Sequence, residues 1–205
     1  MKRTLKRIGI LGGSFNPIHK GHLGIAKKAV EVFDLDEVIF VPTGLPPHKD
    51  PKELEDKEAR YQMVLKAIHP FPNYRASRVE LDRKGYCYAI DTLNRLKQEL
   101  GEKNKLYYIV GMDSINEILE WKKPLELFDY CDFIVATRPK TKIRTLKRLL
   151  KFPPLSARKS QITVVEVRLN LSATEIRDML KNGKSIKKLV PASVADYIER
   201  HGLYK

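Results

Sequence analysis

The 205-residue chain has only two cysteines and one tryptophan. Cys87 and Cys131 lie far apart, with no CxxC pair and no metal-ligand spacing, which argues against a disulfide framework or a thiolate metal centre. No apolar run approaches the ~20 residues that span a bilayer. The basic opening of the chain leads only into the short run Ile8–Leu11 before Gly12-Gly13 interrupt it, too little for a secretory leader. A reduced, cytoplasmic protein with no membrane partner is expected. Three common ligand motifs are also missing: GxxxxGK[ST], GxGxxG and HExxH. Acidic residues are absent from Arg138 to Lys159, a stretch that holds nine basic ones.

That length predicts one domain, residues 1–205, with an α/β core over 1–168 and a small helical part over 169–205. Such a chain can bury a core without staples, and 42% hydrophobic with 31% charged residues suits a globular protein. Lys and Arg number 39 against 25 Asp and Glu, a formal charge of +14. The excess is uneven. Residues 1–137 carry 22 basic and 20 acidic side chains, whereas residues 138–205 carry 17 and 5. The basic end suits an anionic partner such as nucleotide phosphates, nucleic acid or an acidic surface, although most such side chains form a solvated face.

Short β-branched runs alternate with helical patterns. Strands are expected at 7–11, 37–41, 75–81, 106–110, 132–136 and 162–167, and the runs around Ile8, Ile39, Ile109 and Ile134 are apolar on both faces. Helices are expected at 21–33, 57–68, 88–100, 114–121, 144–150, 172–181 and 192–201, with Leu93, Leu96 and Leu100 forming one apolar stripe. The alternation predicts a Rossmann-like, doubly wound parallel sheet with flanking helices, which places ligands beyond the carboxyl ends of the strands.

After the first strand comes Gly12-Gly13-Ser14-Phe15-Asn16-Pro17-Ile18-His19-Lys20-Gly21-His22. Paired glycines let a backbone approach a ligand, and two imidazoles three residues apart share a helix face. They can bind a phosphate where the helix dipole favours one; helix capping and metal ligation are the other uses of such a pair. A second element, Leu171-Ser172-Ala173-Thr174-Glu175-Ile176-Arg177, reads by itself as a capping box at a helix start.

GGSFNPIHKGH resembles the HxGH signature of the nucleotidylyltransferase superfamily, and LSATEIR resembles its second signature, ISSTxIR, with Ala173 in place of a serine. Pro46-Pro47-His48-Lys49, Gly85-Tyr86-Cys87-Tyr88-Ala89-Ile90-Asp91-Thr92-Leu93, Gly111-Met112-Asp113 and Trp121 narrow the likeness to the bacterial nicotinate-nucleotide adenylyltransferases. Two positions depart from that pattern, Cys87 replacing a serine and Ala89 a threonine.

The resemblance implies adenylyl transfer from ATP to nicotinate mononucleotide, giving nicotinate adenine dinucleotide and pyrophosphate. It implies catalytic roles for His19, His22 and Arg177, and an ATP site formed by Gly12, Gly13, Ser14, Phe15, Gly21, Gly111, Asp113, Ser172 and Thr174 with Arg177. It puts the nicotinate nucleotide against His48, Lys49, Tyr88, Ala89 and Trp121. Mg²⁺ is expected on the phosphates, with no protein metal residue. Acceptors that compete with nicotinate mononucleotide are nicotinamide mononucleotide and phosphopantetheine. A basic nucleic-acid-binding module is the rival from another class, and it leaves both signatures without a purpose.

Overall fold

The computed structural model describes residues 5–47, 50–137, 144–167 and 171–205. Six strands form one parallel sheet: β1 (Arg7–Gly13), β2 (Glu37–Pro42), β3 (Tyr74–Ala76), β4 (Lys105–Gly111), β5 (Cys131–Thr137) and β6 (Ile162–Glu166). Their order is β3-β2-β1-β4-β5-β6, so the strand order reverses between β1 and β4. In such sheets a crevice opens at that point, above the carboxyl ends of the strands.

Side-chain alternation along the strands builds two cores. Leu11, Val38, Phe40, Tyr107, Ile109 and Ile134 face one side. There they meet α1 (Lys20–Phe33), α2 (Lys57–Ile68), α7 (Ala173–Lys181) and α8 (Ala192–His201). Ile8, Ile10, Ile39, Val41, Tyr108 and Phe133 face the other side. They meet α3 (Ala89–Leu100), α4 (Met112–Asn116), α5 (Leu127–Tyr130) and α6 (Arg144–Leu149). Strands covered on both faces explain the unbroken apolar runs in the sequence. The expected leucine stripe lies in the second core, with Leu93 and Leu96 buried and Leu100 packed at its edge.

Helix ends follow local chemistry. Asp56 caps α2 by accepting the Glu58 and Ala59 amides at 2.9 and 3.0 Å. Asn182 and Gly183, the latter at φ +65°, close α7.

Two elements differ from expectation. The third strand stops at Ala76 instead of Leu81, because after the Ser77 amide pairs with Phe40 O the backbone turns on local bonds, Asp82 N–H to Arg78 O and Arg83 N–H to Glu80 O. Leu81 is still buried, so its apolar signal came from a turn. The helix expected at 114–121 begins at Met112, directly on the end of β4, and gives way after Asn116 to a 3₁₀ turn over Ile118–Glu120. Ile115 and Ile118 are both fully buried, three residues apart, a spacing that the tighter turn stacks on one side. No helix among the described residues is long and apolar enough to cross a membrane.

Candidate active site

The chain leaves β1 through Gly12 and Gly13 and enters α1 at His19, the N-cap residue, in extended geometry at φ −142°. Gly21 and His22 occupy the first turn. The His19 amide donates to Nδ1 of His22 at 3.2 Å, and the two imidazoles stack with centroids 3.7 Å apart and planes 22° from parallel. A Cβ on Gly21 would lie 2.8 Å from His19 Nδ1, so only glycine lets the His19 ring lie across the turn.

Because Nδ1 of His22 accepts a backbone proton, neutral His22 carries its own proton on Nε2. Burial, followed by the neighbouring His19, holds the His22 pKa well below the usual 6.5. At neutral pH this residue is therefore an uncharged donor through Nε2–H.

Phe15 braces the pair edge-on, its ring centroid 5.0 Å from that of His22. Its backbone is left-handed at φ +45°, an uncommon conformation for a bulky residue, and its ring is buried in the core. Asn16 ties the loop to the rest of the molecule. Its side chain donates to Glu53 O (2.9 Å) and accepts from the Glu55 amide (3.1 Å) and the Tyr204 hydroxyl (3.0 Å). Buried Arg60 of α2 donates to Ser14 O at 2.7 Å and to Glu55 O at 3.0 Å.

Two cavities open at the strand ends. The first, of about 500 Å³, is lined by His19, Gly21 and His22, by Gly111 and Asp113 after β4, and by Ser172 at the start of α7. The second, of about 440 Å³, is lined by Gly12, Gly13 and Ser14, by Tyr108 of β4, and by Trp121. His22, Ile25, Gly111 and Ser114 border both, so the cavities meet between the first turns of α1, where His22 lies, and the end of β4. Tyr108 holds Trp121 edge-on, with centroids 6.2 Å apart at 85°.

Sequence-predicted residues thus divide between the first cavity, the second, neither, and positions outside the described residues. Gly12, Gly13 and Ser14 were grouped with Asp113 and Ser172, but they share the second cavity with Trp121. Tyr88 and Ala89 begin α3 beside that cavity without lining it. Lys122 lies over the Tyr88 ring at 4.6 Å and pairs with Asp91 at 3.1 Å. Arg177 and Thr174 do not line the first cavity. The guanidinium donates to Asn16 O at 2.9 Å and to Thr174 Oγ1 at 3.3 Å, and Thr174 is exposed. Ser172 caps α7 by position, yet its side chain makes no capping hydrogen bond; the capping box is not formed. His48 and Lys49 lie outside the described residues.

Sequence reading missed Ala136, Thr137 and Val167, which line the first cavity at the ends of β5 and β6. The strand-end rule alone would have found them. Asn16 and Arg60 gave no such signal, because Asn16 reaches Glu53, Glu55 and Tyr204, and Arg60 reaches Ser14, only once the chain is folded.

A family model described as cytidylyltransferase-like matches residues 10–179. A Thermoanaerobacter sp. (strain X514) protein named "Probable nicotinate-nucleotide adenylyltransferase" is 44% identical over 207 residues, covering 100% of this chain and 97% of its own length. A Thermus thermophilus protein of the same name is 40% identical over 199 residues, covering 97% of this chain and 100% of its own. Among solved structures, the Plasmodium falciparum nicotinic acid mononucleotide adenylyltransferase complexed with NaAD matches with a TM-score of 0.77 at 25% identity, over 97% of each chain. Its complex with APC, at 24% identity and a TM-score of 0.76, shares the fold. With the two stacked histidines at the strand-order reversal and relatives matched from end to end, the chain belongs to the cytidylyltransferase-like family and, within it, to the nicotinate-nucleotide adenylyltransferases.

Proposed function

We propose that this enzyme transfers the adenylyl group of ATP to nicotinate mononucleotide, producing nicotinate adenine dinucleotide and pyrophosphate, a step of NAD biosynthesis. The observation that carries this reading is the meeting of two cavities at one neutral histidine. On this reading ATP occupies the first cavity, beside Gly111, Asp113 and Ser172, with its α-phosphate at His22. Nicotinate mononucleotide occupies the second, its pyridine ring against Trp121 and its phosphate toward the Gly12–Ser14 backbone.

An oxygen of the mononucleotide phosphate attacks the α-phosphorus in line. The bond from that phosphorus to the bridging oxygen breaks, and its electron pair leaves with pyrophosphate. The attacking phosphate is already anionic, so no general base is required. Catalysis rests on positioning and on charge stabilisation. His22 Nε2–H donates to the α-phosphate oxygens, and the gathering negative charge draws a proton toward the ring, which opposes the effect of burial. His19 supports the same phosphate through its stacked ring. Arg177 reaches the β- and γ-phosphates by exchanging Asn16 O for a phosphate oxygen, a stronger, charge-assisted partner.

The first cavity offers one carboxylate, Asp113, with hydroxyls from Ser114, Thr137 and Ser172, and no cluster of three or more His, Cys, Asp or Glu side chains among the described residues could hold a metal ion. That donor set suits Mg²⁺ carried by the triphosphate and water, where it would neutralise phosphate charge. The chain is read as one nucleotidyltransferase domain, with 169–205 as its helical part. In support, α8 packs into the same core as α2, and Ser193 Oγ donates to Lys66 O at 3.0 Å. A cytoplasmic location follows from ATP as substrate, and no nucleic acid is assigned.

The test is pyrophosphate release with ATP and Mg²⁺, using nicotinate mononucleotide, nicotinamide mononucleotide and phosphopantetheine in parallel. Turnover highest with nicotinate mononucleotide is expected. A preference for phosphopantetheine, or no release with any of the three, refutes the reading.

A further inference from the structure

Behind the second cavity lies a buried carboxylate that belongs to neither signature. Glu80 follows β3 in the turn region and is 6% exposed. Its Oε1 accepts the hydroxyl of Thr92, a fully buried residue of α3, at 2.8 Å. Burial raises its pKa, while the Thr92 hydroxyl and the backbone N–H of Gly44, in the loop after β2, favour its charged form. Its own backbone carbonyl accepts Sγ of Cys87 at 3.4 Å.

Those partners come from the segments that shape the second cavity. The loop after β2 contributes Thr43 and Pro46 to the lining. It is joined to the segment before α3 by Cys87 N–H donating to Leu45 O at 2.8 Å, and by a parallel bridge between Leu45 and Tyr86. The packing around Gly44 is tight: a Cβ there would lie 2.3 Å from Glu80 O and 2.9 Å from Cys87 Sγ. The Cys87 thiol therefore points inward to Glu80.

A buried carboxylate is costly unless its oxygens are bonded, and replacing one with an apolar side chain is often neutral or favourable for stability. Its stronger consequence is geometric. Packed against Gly44 through its own carbonyl and bonded to Thr92 through its side chain, Glu80 spaces the loop after β2 from α3. Among the described residues, none that lines the first cavity bonds to the Glu80 side chain.

We propose that Glu80 is a positioning residue for the acceptor half of the site, setting the width of the slot between the loop after β2 and the start of α3. The inference rests on the reading that the second cavity takes nicotinate mononucleotide.

Steady-state kinetics on the full-length enzyme with Mg²⁺, varying ATP and nicotinate mononucleotide separately, tests it in wild type, Glu80→Ala, Glu80→Gln and Thr92→Val. KM is independent of the fraction of enzyme folded, so partial unfolding lowers apparent kcat without imitating the effect. Glu80→Ala is expected to raise KM for the mononucleotide about tenfold, as lost charge-assisted bonds do, with KM for ATP within about twofold. Glu80→Gln keeps an oxygen for Thr92 but sets an amide N–H against Gly44, and falls between. Thr92→Val, nearly isosteric, raises the same KM about threefold and decides the matter if Glu80→Ala fails to fold. A wild-type enzyme that does not use nicotinate mononucleotide refutes the substrate reading and this inference with it. An active wild type whose Glu80→Ala and Thr92→Val variants raise both KM values alike, or neither, refutes the inference alone.

Discussion

His22→Asn is the most direct perturbation of the proposed chemistry, because it separates the two ring nitrogens. Asparagine places its amide oxygen near the position of Nδ1, where it can still accept the His19 amide that now bonds at 3.2 Å. Nothing in asparagine reaches the position of Nε2. Removing one preorganised donor at a developing charge costs roughly 10²–10³ in kcat, about 2.7–4 kcal/mol. The stability loss is smaller. The substitution forfeits the stack on His19 and the edge contact with Phe15, aromatic pairs worth about 0.5–1.5 kcal/mol each. A folded protein with kcat down by at least ~10² and KM values little changed is therefore expected. His22→Gln, whose amide nitrogen falls near Nε2, should recover part of the rate. The assay is pyrophosphate release under saturating ATP and nicotinate mononucleotide, with circular dichroism confirming the fold. If His22→Asn turns over within a few-fold of wild type, or if Gln is no better than Asn, donation from Nε2 is not what accelerates the reaction.

Three other expectations follow from the same geometry. Trp121→Ala should raise KM for nicotinate mononucleotide about tenfold, near 1.4 kcal/mol, and leave KM for ATP almost unchanged, since Trp121 lines only the second cavity; equal changes in both would count against ring stacking. Arg60→Met strands two carbonyls, Ser14 O and Glu55 O, and should cost about 2–5 kcal/mol, seen in calorimetry as a Tm fall on the order of 5–15 °C; an unchanged Tm would show that these bonds contribute nothing net. His22 also makes stability depend on pH. Its pKa in the fold lies below the unfolded value of 6.5, so its contribution is complete above that pH and is lost as pH falls toward the folded value. Melting of wild type and His22→Asn from pH 8 to pH 5 should show the wild type losing more, and parallel curves would contradict a buried neutral imidazole.

The sheet was legible because its strands are covered on both faces and so read as continuous apolar runs between amphipathic helices. Where that signal misled, at half-buried Val79 and buried Leu81, the residues still pack on the core, but the backbone around them closes its hydrogen bonds locally. The paired histidines were legible because their spacing is short and the structure that uses it, a helix start, is local. Arg177 shows the opposite case. Its motif predicted a phosphate ligand, whereas its guanidinium in this structure is held by Asn16 O, 161 positions away in the chain. Arg60 and Glu80 were invisible for a related reason. A charged residue within a polar stretch reads as surface, and only the folded chain reveals that Arg60 is 1% exposed and Glu80 6%.

Strand order explains how one crevice can keep two nucleotides apart and still bring them into reaction. Residues after β4, β5 and β6 supply the first cavity: Asp113, Thr137, and Val167 with Ser172. Those after β2 supply the second, with Thr43 and Pro46, and Trp121 closes its far wall. The start of α1, reached by the loop that leaves β1, lies between these groups together with Gly111 and Ser114 at and just after the end of β4, β1 and β4 being the two strands at the reversal. In the proposed mechanism a phosphate bound from either side ends at the start of α1, where His19 caps the helix and His22 lies in its first turn. Among the described residues, no lysine or arginine lines either cavity. Steering by the basic final third would change how often substrates arrive, which salt would reveal in kcat/KM, while in the proposed mechanism the rate at saturation depends on a histidine that is uncharged in the free enzyme.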